Sequence, residues 1–336
     1  MDKRTAPSRG RRPLDTDLPG PPALPALPGL SGVLVVDKPA GITSHDVVAV
    51  ARRALGERSI GHTGTLDPMA TGVLPLAIGK ATRLVRFLTA SDKDYDAVIR
   101  FGRITDTYDA TGTTTAESPM RPTRTALEFG LLALSGSYEQ MPPSYSAKKV
   151  DGRRAYAMAR RDEPVELKAV PVTVSRAVLT AFDDDTASVS LTCSAGFYVR
   201  SFAHELGRML GCGACLEALR RTRSGDFTLA GAVPIESLAG GDSATRPGRI
   251  AEAMVPPAAL LQGLPSVCVT PEGLDWVAHG RDLAPSQWRQ TAIDRKSPWP
   301  DGPESWVRLL DEAGDLVALA TRRPASPLLH PSIVLI

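Results

Sequence analysis

The sequence holds no apolar run long enough for a membrane-spanning helix, so a helical membrane protein is not expected. Net charge is also nearly absent: 39 Lys and Arg against 37 Asp and Glu leave +2. A chain-wide signature for binding polyanions is therefore missing, and any nucleic-acid site has to be a local patch. Cysteine is sparse, at four residues. Cys212 and Cys215 have C-x-x-C spacing, but no second such pair and no His pair at ligand spacing accompany them. No metal site is expected from so incomplete a ligand set. Two catalytic motifs also fail. The second His of a zinc-protease helix begun at His204-Glu205 would fall on Arg208, and the first glycine of a phosphate loop ending at Gly79-Lys80 would fall on Leu74. Prolines interrupt residues 1–30 before an apolar leader core could form. That stretch reads as a disordered, Pro-rich, locally basic arm, and a solvated tail is the simpler reading than an RNA contact. With no leader expected, the thiols should be reduced and the location cytoplasmic.

What is present is enough for a folded protein of about two domains: 336 residues, 43% hydrophobic and 23% charged. Gly32–Asp37 reads as a strand. Ser44 reads as an N-cap, followed by an apolar face of Val47, Val48, Ala51, Ala54 and Leu55 that Gly56 closes. A strand is expected near Val73–Ile78 and a helix near Lys80–Leu88. Asp94–Phe101 alternates, with Tyr95, Ala97, Ile99 and Phe101 on one face. Residues 105–124 read as a long loop and Thr125–Leu134 as a helix. Strands are expected at Val172–Leu179 and Ala187–Cys193, and a helix runs from Val199 to a stop at Gly211. A shorter helix is expected over Ala214–Arg220. Strands mixed with helices, without regular βαβ alternation, give an α+β class. Residues 234–265 read as a helical linker. Residues 266–336 read as a small β-rich module, with strands at Val267–Thr270, Trp306–Leu310, Leu316–Ala320 and Ile333–Ile336 and a helix at Pro271–His279.

Residues 61–75, GHTGTLDPMATGVLP, are the most informative stretch. Small and hydroxyl residues surround one carboxylate, Asp67, and such a loop is costly to order and poor at filling a core. An Asp-Pro pair is also an ordinary helix start, with Asp as N-cap and Pro in the first turn. The two readings can coexist.

The whole string resembles the active-site motif of TruB-type pseudouridine synthases. The resemblance continues through KPAGITSHDVV (38–48), KDYDAVIRFGRITDTYDATG (93–112), PPSYSAKKVDGRRAYAMAR (142–160), GFYVRSFAHELG (196–207) and LEALRRTRSGDF (216–227). It covers about residues 32–230. It implies a mixed, largely antiparallel catalytic sheet over residues 31–233, followed by the linker and a PUA-like module over 266–336. It also implies an isomerase that converts uridine to pseudouridine in the T arm of transfer RNA, at position 55, with no cofactor, no guide RNA and a monomeric chain. Asp67 is then the nucleophile, with attack at C1′, attack at C6 and proton removal at C2′ left open. Tyr95 stacks on the flipped base, a contact worth roughly 1–3 kcal/mol, and serves in later proton transfer. Otherwise Tyr95 is an ordinary strand aromatic.

Arg200 is expected in the first turn of its helix, where the helix dipole disfavours a cation. A rule broken locally points to a partner elsewhere, and the family pattern makes that partner Asp67; the alternative is a solvated arginine. Tyr198 stands beside it as a substrate contact. His62 reaches the RNA loop by resemblance, or is a loop histidine bonded to backbone. Leu219 touches the target nucleotide, or packs on the core. Lys38, Lys148, Lys149, Arg153, Arg154, Arg220, Arg221 and Arg223 are candidates for RNA phosphates, and some will simply be solvated. The rival function is a non-catalytic RNA-binding or RNA-folding protein that uses the same cleft. A second rival is the guide-RNA-dependent relative working inside a larger complex.

Overall fold

The computed structural model describes residues 29–146, 148–150, 153–154, 158, 161, 167–240, 246–290, 305–322 and 326–336. The catalytic half is built from β1 (Gly32–Lys38), β2 (Ile60–His62), β3 (Thr71–Ile78) and β4 (Lys93–Phe101). A small hairpin of β5 (Arg103–Thr105) and β6 (Thr114–Glu117) follows, then β7 (Gly136–Gln140) and the short pair β8 (Lys149–Val150) and β9 (Arg153–Arg154). β10 (Val170–Phe182), β11 (Thr186–Cys193), β12 (Ala214–Ser224), β13 (Phe227–Thr228) and β14 (Val233–Pro234) complete it. Ten of these form one mixed sheet in the order β14-β1-β3-β12-β4-β11-β10-β7, with β2 paired to β3 and β13 to β12. Only the β1–β14 and β3–β12 pairings are parallel among the described ones in this sheet.

Alternation decides which side chains reach the site. Lys93, Tyr95, Ala97, Ile99 and Phe101 of β4 are all buried on one face. β1 and β3 split their apolar residues between two cores. Leu34, Val36, Leu74 and Leu76 join a cluster under the helices at Ser44–Leu55, Arg124–Ala133 and Val199–Met209. Val33, Val35, Val73 and Ala77 join a second cluster on the opposite face. Tyr95, Leu219 and Leu66 belong to the first cluster, so the site lies on that side.

Four expectations need correction. The helix at 44–55 is capped by Thr43, not Ser44: Thr43 Oγ1 accepts from Asp46 N, and Asp46 returns a bond to Thr43 N. Ser44 is buried and bonds both the N–H and the C=O of Leu66, which ties that helix to the Asp67 loop. Residues 105–124 are not one loop but contain the β5–β6 hairpin. Asp67-Pro68 opens a turn closed by Ala70 N to Asp67 O at 3.1 Å, and no helix follows. Ala214–Arg220 is not a helix but part of the central strand β12. LEALRR favours a helix locally, yet β3 and β4 offer backbone partners on both sides, and two bulges absorb the misfit.

The C-terminal residues form a separate five-stranded sheet in the order β16-β15-β17-β18-β19, from β15 (Ser266–Val269), β16 (Trp288–Gln290), β17 (Trp306–Leu310), β18 (Leu316–Arg322) and β19 (Leu329–Val334). The expected last strand at 333–336 thus begins four residues earlier. Leu316, Leu319 and Leu335 pack into the second cluster, behind the catalytic sheet. Phe87 meets Trp306 edge to face at 4.9 Å, and the Arg86 guanidinium lies over both rings. Among the described residues, no helix is long and apolar enough to cross a membrane.

Candidate active site

The loop from 63 to 70 joins β2 to β3 and is held from several sides. Gly41 N donates to Pro68 O at 2.8 Å, and Lys38 Nζ donates to Pro39 O at 2.8 Å and Pro68 O at 3.3 Å. Arg221 donates to Val73 O (2.7 Å), Gly64 O (3.1 Å) and Thr65 O (3.5 Å). A loop of glycines and hydroxyls cannot order itself by packing, so side chains from the scaffold grip its carbonyls instead.

Asp67 and Arg200 meet, 133 positions apart in the chain, as a two-pronged pair: Nε to Oδ2 at 2.8 Å and Nη2 to Oδ1 at 2.9 Å. Arg200 is only 4% exposed, whereas the Asp67 side chain keeps 32% of its surface. The guanidinium is thus spoken for on its inner side, and the carboxylate faces the opening. Arg200 also donates to Thr107 O (3.0 Å) and Tyr145 O (2.9 Å), and its Nε lies 3.7 Å from Asp109 Oδ2. Asp109 is itself buried; its Oδ1 accepts from Thr107 Oγ1, Thr111 N and Thr111 Oγ1.

Thr107, Asp109 and Tyr145 were missed by the sequence reading. The Thr-x-Asp-x-Thr spacing at 107–111, a carboxylate flanked by donors two residues away on either side, is the signal that could have marked Asp109. The segment is pinned at Tyr108, whose φ of 63° is left-handed backbone. Its ring stacks on His204 at 3.9 Å and 10°, one helical turn after Arg200. Burial pushes the His204 imidazole below its usual pKa.

A cavity of about 260 Å³ opens beside Asp67, lined by Lys93, Tyr95, Tyr198, Leu219 and Arg221 among others. That is just under the ~300–1,000 Å³ of small-molecule sites and suits one base. Tyr95 is 8% exposed, and Leu219 and Arg221 stand opposite Ala97 and Tyr95 in the β12–β4 register. Burial raises the Tyr95 phenol, with the neighbouring Arg221 acting against it. Tyr198 precedes the Val199–Met209 helix, and its backbone is fixed by Gln140, which bonds both its N–H and its C=O. Burial raises its phenol as well.

The structure therefore brings together Asp67, Arg200, Tyr95, Tyr198 and Leu219. His62 lies on β2 opposite Leu76, half-buried and outside the lining of this cavity. Two expected phosphate contacts are corrected. Lys38 is 0% exposed and Arg221 1%, so neither can meet a solvated phosphate; both hold the loop from beneath. Arg220 is partly exposed but pairs with Asp37 at 2.7 Å, and Arg223 pairs with Asp94 at 2.7 Å. Lys148 donates to Lys168 O. The side chains of Lys149, Arg153 and Arg154 lie outside the described residues. Cys193, Cys212, Cys215 and Cys268 are free thiols.

This fold and site have relatives. The protein of an H/ACA ribonucleoprotein bound to a substrate RNA superimposes with a TM-score of 0.69 at 23% identity, covering 91% of this chain and 85% of that one, a likeness of fold alone. Two family descriptions match in succession: TruB family pseudouridylate synthase (N terminal domain) over residues 52–199, and tRNA pseudouridylate synthase B C-terminal domain over 200–254. They define the class as a pseudouridylate synthase. The tRNA pseudouridine synthase B of Solibacter usitatus is 42% identical over 305 residues, 90% of this chain and 99% of its own length. That of Thermobifida fusca is 50% identical over 217 residues, 62% of this chain and 74% of its own. The chain belongs to the TruB family.

Proposed function

We propose that the protein isomerises uridine to pseudouridine in transfer RNA, at position 55 of the T arm. The observation that carries this is the Asp67–Arg200 pair at the edge of a base-sized cavity beside Tyr95. The reaction breaks N1–C1′, turns the base and rejoins it through C5, so it needs no redox partner and no imported group. A carboxylate suffices to take up the sugar carbon or a sugar proton. Arg200 aims that carboxylate with both oxygens held, and buried donors set in advance cost little reorganisation during reaction. Tyr95 supplies the face on which a flipped base stacks, with Leu219 and Tyr198 closing the sides.

The TruB membership supports an enzyme that acts alone, as a cytoplasmic monomer without guide RNA. The residue ranges 31–233, 234–265 and 266–336 are the corresponding catalytic domain, linker and PUA-like module. His62, Lys148, Lys149, Arg153 and Arg220 remain the RNA contacts of this reading. The test is the pure protein with unmodified tRNA, mapped for pseudouridine by position. Asp67→Asn is expected to abolish product while leaving tRNA affinity within a few fold. Unchanged product would remove Asp67 from the chemistry, and binding without product in the parent protein would favour the non-catalytic RNA-binding rival.

A further inference from the structure

Besides Arg200, which is paired with Asp67, three buried cations border the Asp67 cavity and its loop: Lys38, Lys93 and Arg221. Among the described residues none of them forms a salt bridge; backbone carbonyls hold all three. Lys38 and Arg221 are occupied in gripping the loop. Lys93 is different. It is 6% exposed, its Nζ donates to Thr89 O at 2.5 Å and to Ser91 O, and it lines the cavity. An ammonium has three N–H donors, so one remains. Cys193, paired opposite Lys93, brings no compensating charge, since burial holds its thiol up at about 12. Burial pushes the Lys93 pKa down, with Asp92 opposing the shift; a cation buried in a cleft is costly to keep, and a ligand's negative charge relieves that cost.

The position suits one anion in particular. Lys93 and Tyr95 are alternate residues on one face of β4, about 7 Å apart. Both side chains line the same cavity, so a base stacked on Tyr95 lies within reach of the Lys93 ammonium. When N1–C1′ breaks, the bonding pair leaves with uracil, and its negative charge spreads over N1, O2 and O4. C1′ is satisfied either by a new bond to the Asp67 carboxylate or by the C2′ electron pair after Asp67 takes that proton. C5 then bonds to C1′ as the Asp67–C1′ bond breaks or, on the other route, as Asp67 returns the proton to C2′; the C5 proton is lost, and N1 takes one up. We propose that Lys93 is a further catalytic residue, whose ammonium, caged by the Thr89 and Ser91 carbonyls and backed by Arg221, stabilises the departing uracil anion. This rests on the reading of the Asp67 cavity as the uridine site.

The test compares uridine with 5-fluorouridine at the target position of tRNA, scoring single-turnover consumption of the nucleoside by wild type, Lys93→Met and Lys93→Gln. Fluorine withdraws charge and stabilises the leaving anion by itself, so a residue with that job matters less for the fluorinated base. Lys93→Met is expected to slow uridine by about 10²-fold, the usual effect of one lost oxyanion donor, and to slow 5-fluorouridine at least ten-fold less, with tRNA affinity unchanged. Lys93→Gln keeps a donor for the Thr89 carbonyl and carries the same comparison should the Met variant fail to fold. Equal slowing on both substrates, as a merely structural lysine would give, overturns the proposal; so does undiminished consumption of uridine. Wild type that consumes neither substrate would instead bring down the reading of the site itself, and this proposal with it.

Discussion

Arg200 shows at the level of a single side chain how the site is built. Four of its five donors are aimed by a fixed plane at two Asp67 oxygens and two carbonyls, and a lysine could not reproduce that fork. Lys38 shows the opposite use of charge. It is fully buried, and desolvation brings its pKa down from 10.5 to about 8, with Asp67 opposing the shift. Its folded pKa therefore lies below its unfolded one, and between pH 8 and 10.5 the unfolded chain binds more protons. Stability rises with pH across that window, as the cost of burying the charge is lifted. Measured by denaturant unfolding at several pH values, the stability of wild type relative to Lys38→Met is expected to rise by roughly 3 kcal/mol from pH 8 to 10.5. A flat difference would mean that Lys38 is solvated. Sequence reasoning placed Lys38 and Arg221 on phosphates because a lysine or arginine looks alike in sequence whether it faces solvent or a carbonyl cage.

At the level of elements, the parallel contact of β3 with β12 carries the loop. Gly72 has φ +102°, and a Cβ there would meet Arg221 O at 2.1 Å. Gly72→Ala therefore cannot be absorbed by a side-chain shift; it pushes β3 from β12 and loosens the grip of Arg221 on Gly64 and Thr65. A loss of about 1–3 kcal/mol is expected from the backbone strain alone, read as a lower urea midpoint, together with a fall in single-turnover rate. Unaltered stability would show that the two strands are not clamped there. β12 is also where sequence reasoning failed for an element. Alternation made β4 legible, because Tyr95, Ala97, Ile99 and Phe101 bury one face by themselves. β12 is bulged twice and has helix-forming residues, so its strand character exists only once β3 and β4 flank it. The β5–β6 hairpin was hidden for a related reason: all four residues of β6 are exposed, leaving no apolar pattern to read.

Across the whole molecule, the C-terminal sheet is seated on the second core cluster, on the face away from Asp67. Trp306 is its anchor against Phe87 and Arg86. Trp306 is half-buried, so Trp306→Ala is expected to cost about 1–3 kcal/mol in lost packing, seen as a lower Tm, while the single-turnover rate at saturating tRNA stays near wild type. A large fall in that rate at full binding would mean that the module reaches through the sheet to the chemistry. The separation of a catalytic sheet from a terminal β-rich unit was visible in the chain, as was the Asp67 motif, because each is written in contiguous residues. Periodicity, turn residues and a dense motif are local facts, and local physics is enough to express them. What only the tertiary structure decided is how the other charges are placed: Asp109 beside the Arg200–Asp67 pair that the motifs already suggested, Lys38 and Arg221 turned inward on carbonyls, Lys93 at the cavity wall. Those outcomes depend on desolvation and on which segments the sheet brings together, from Lys38 and Pro68 at 30 positions to Arg221 and Val73 at 148, and neither exists until the sheet has closed.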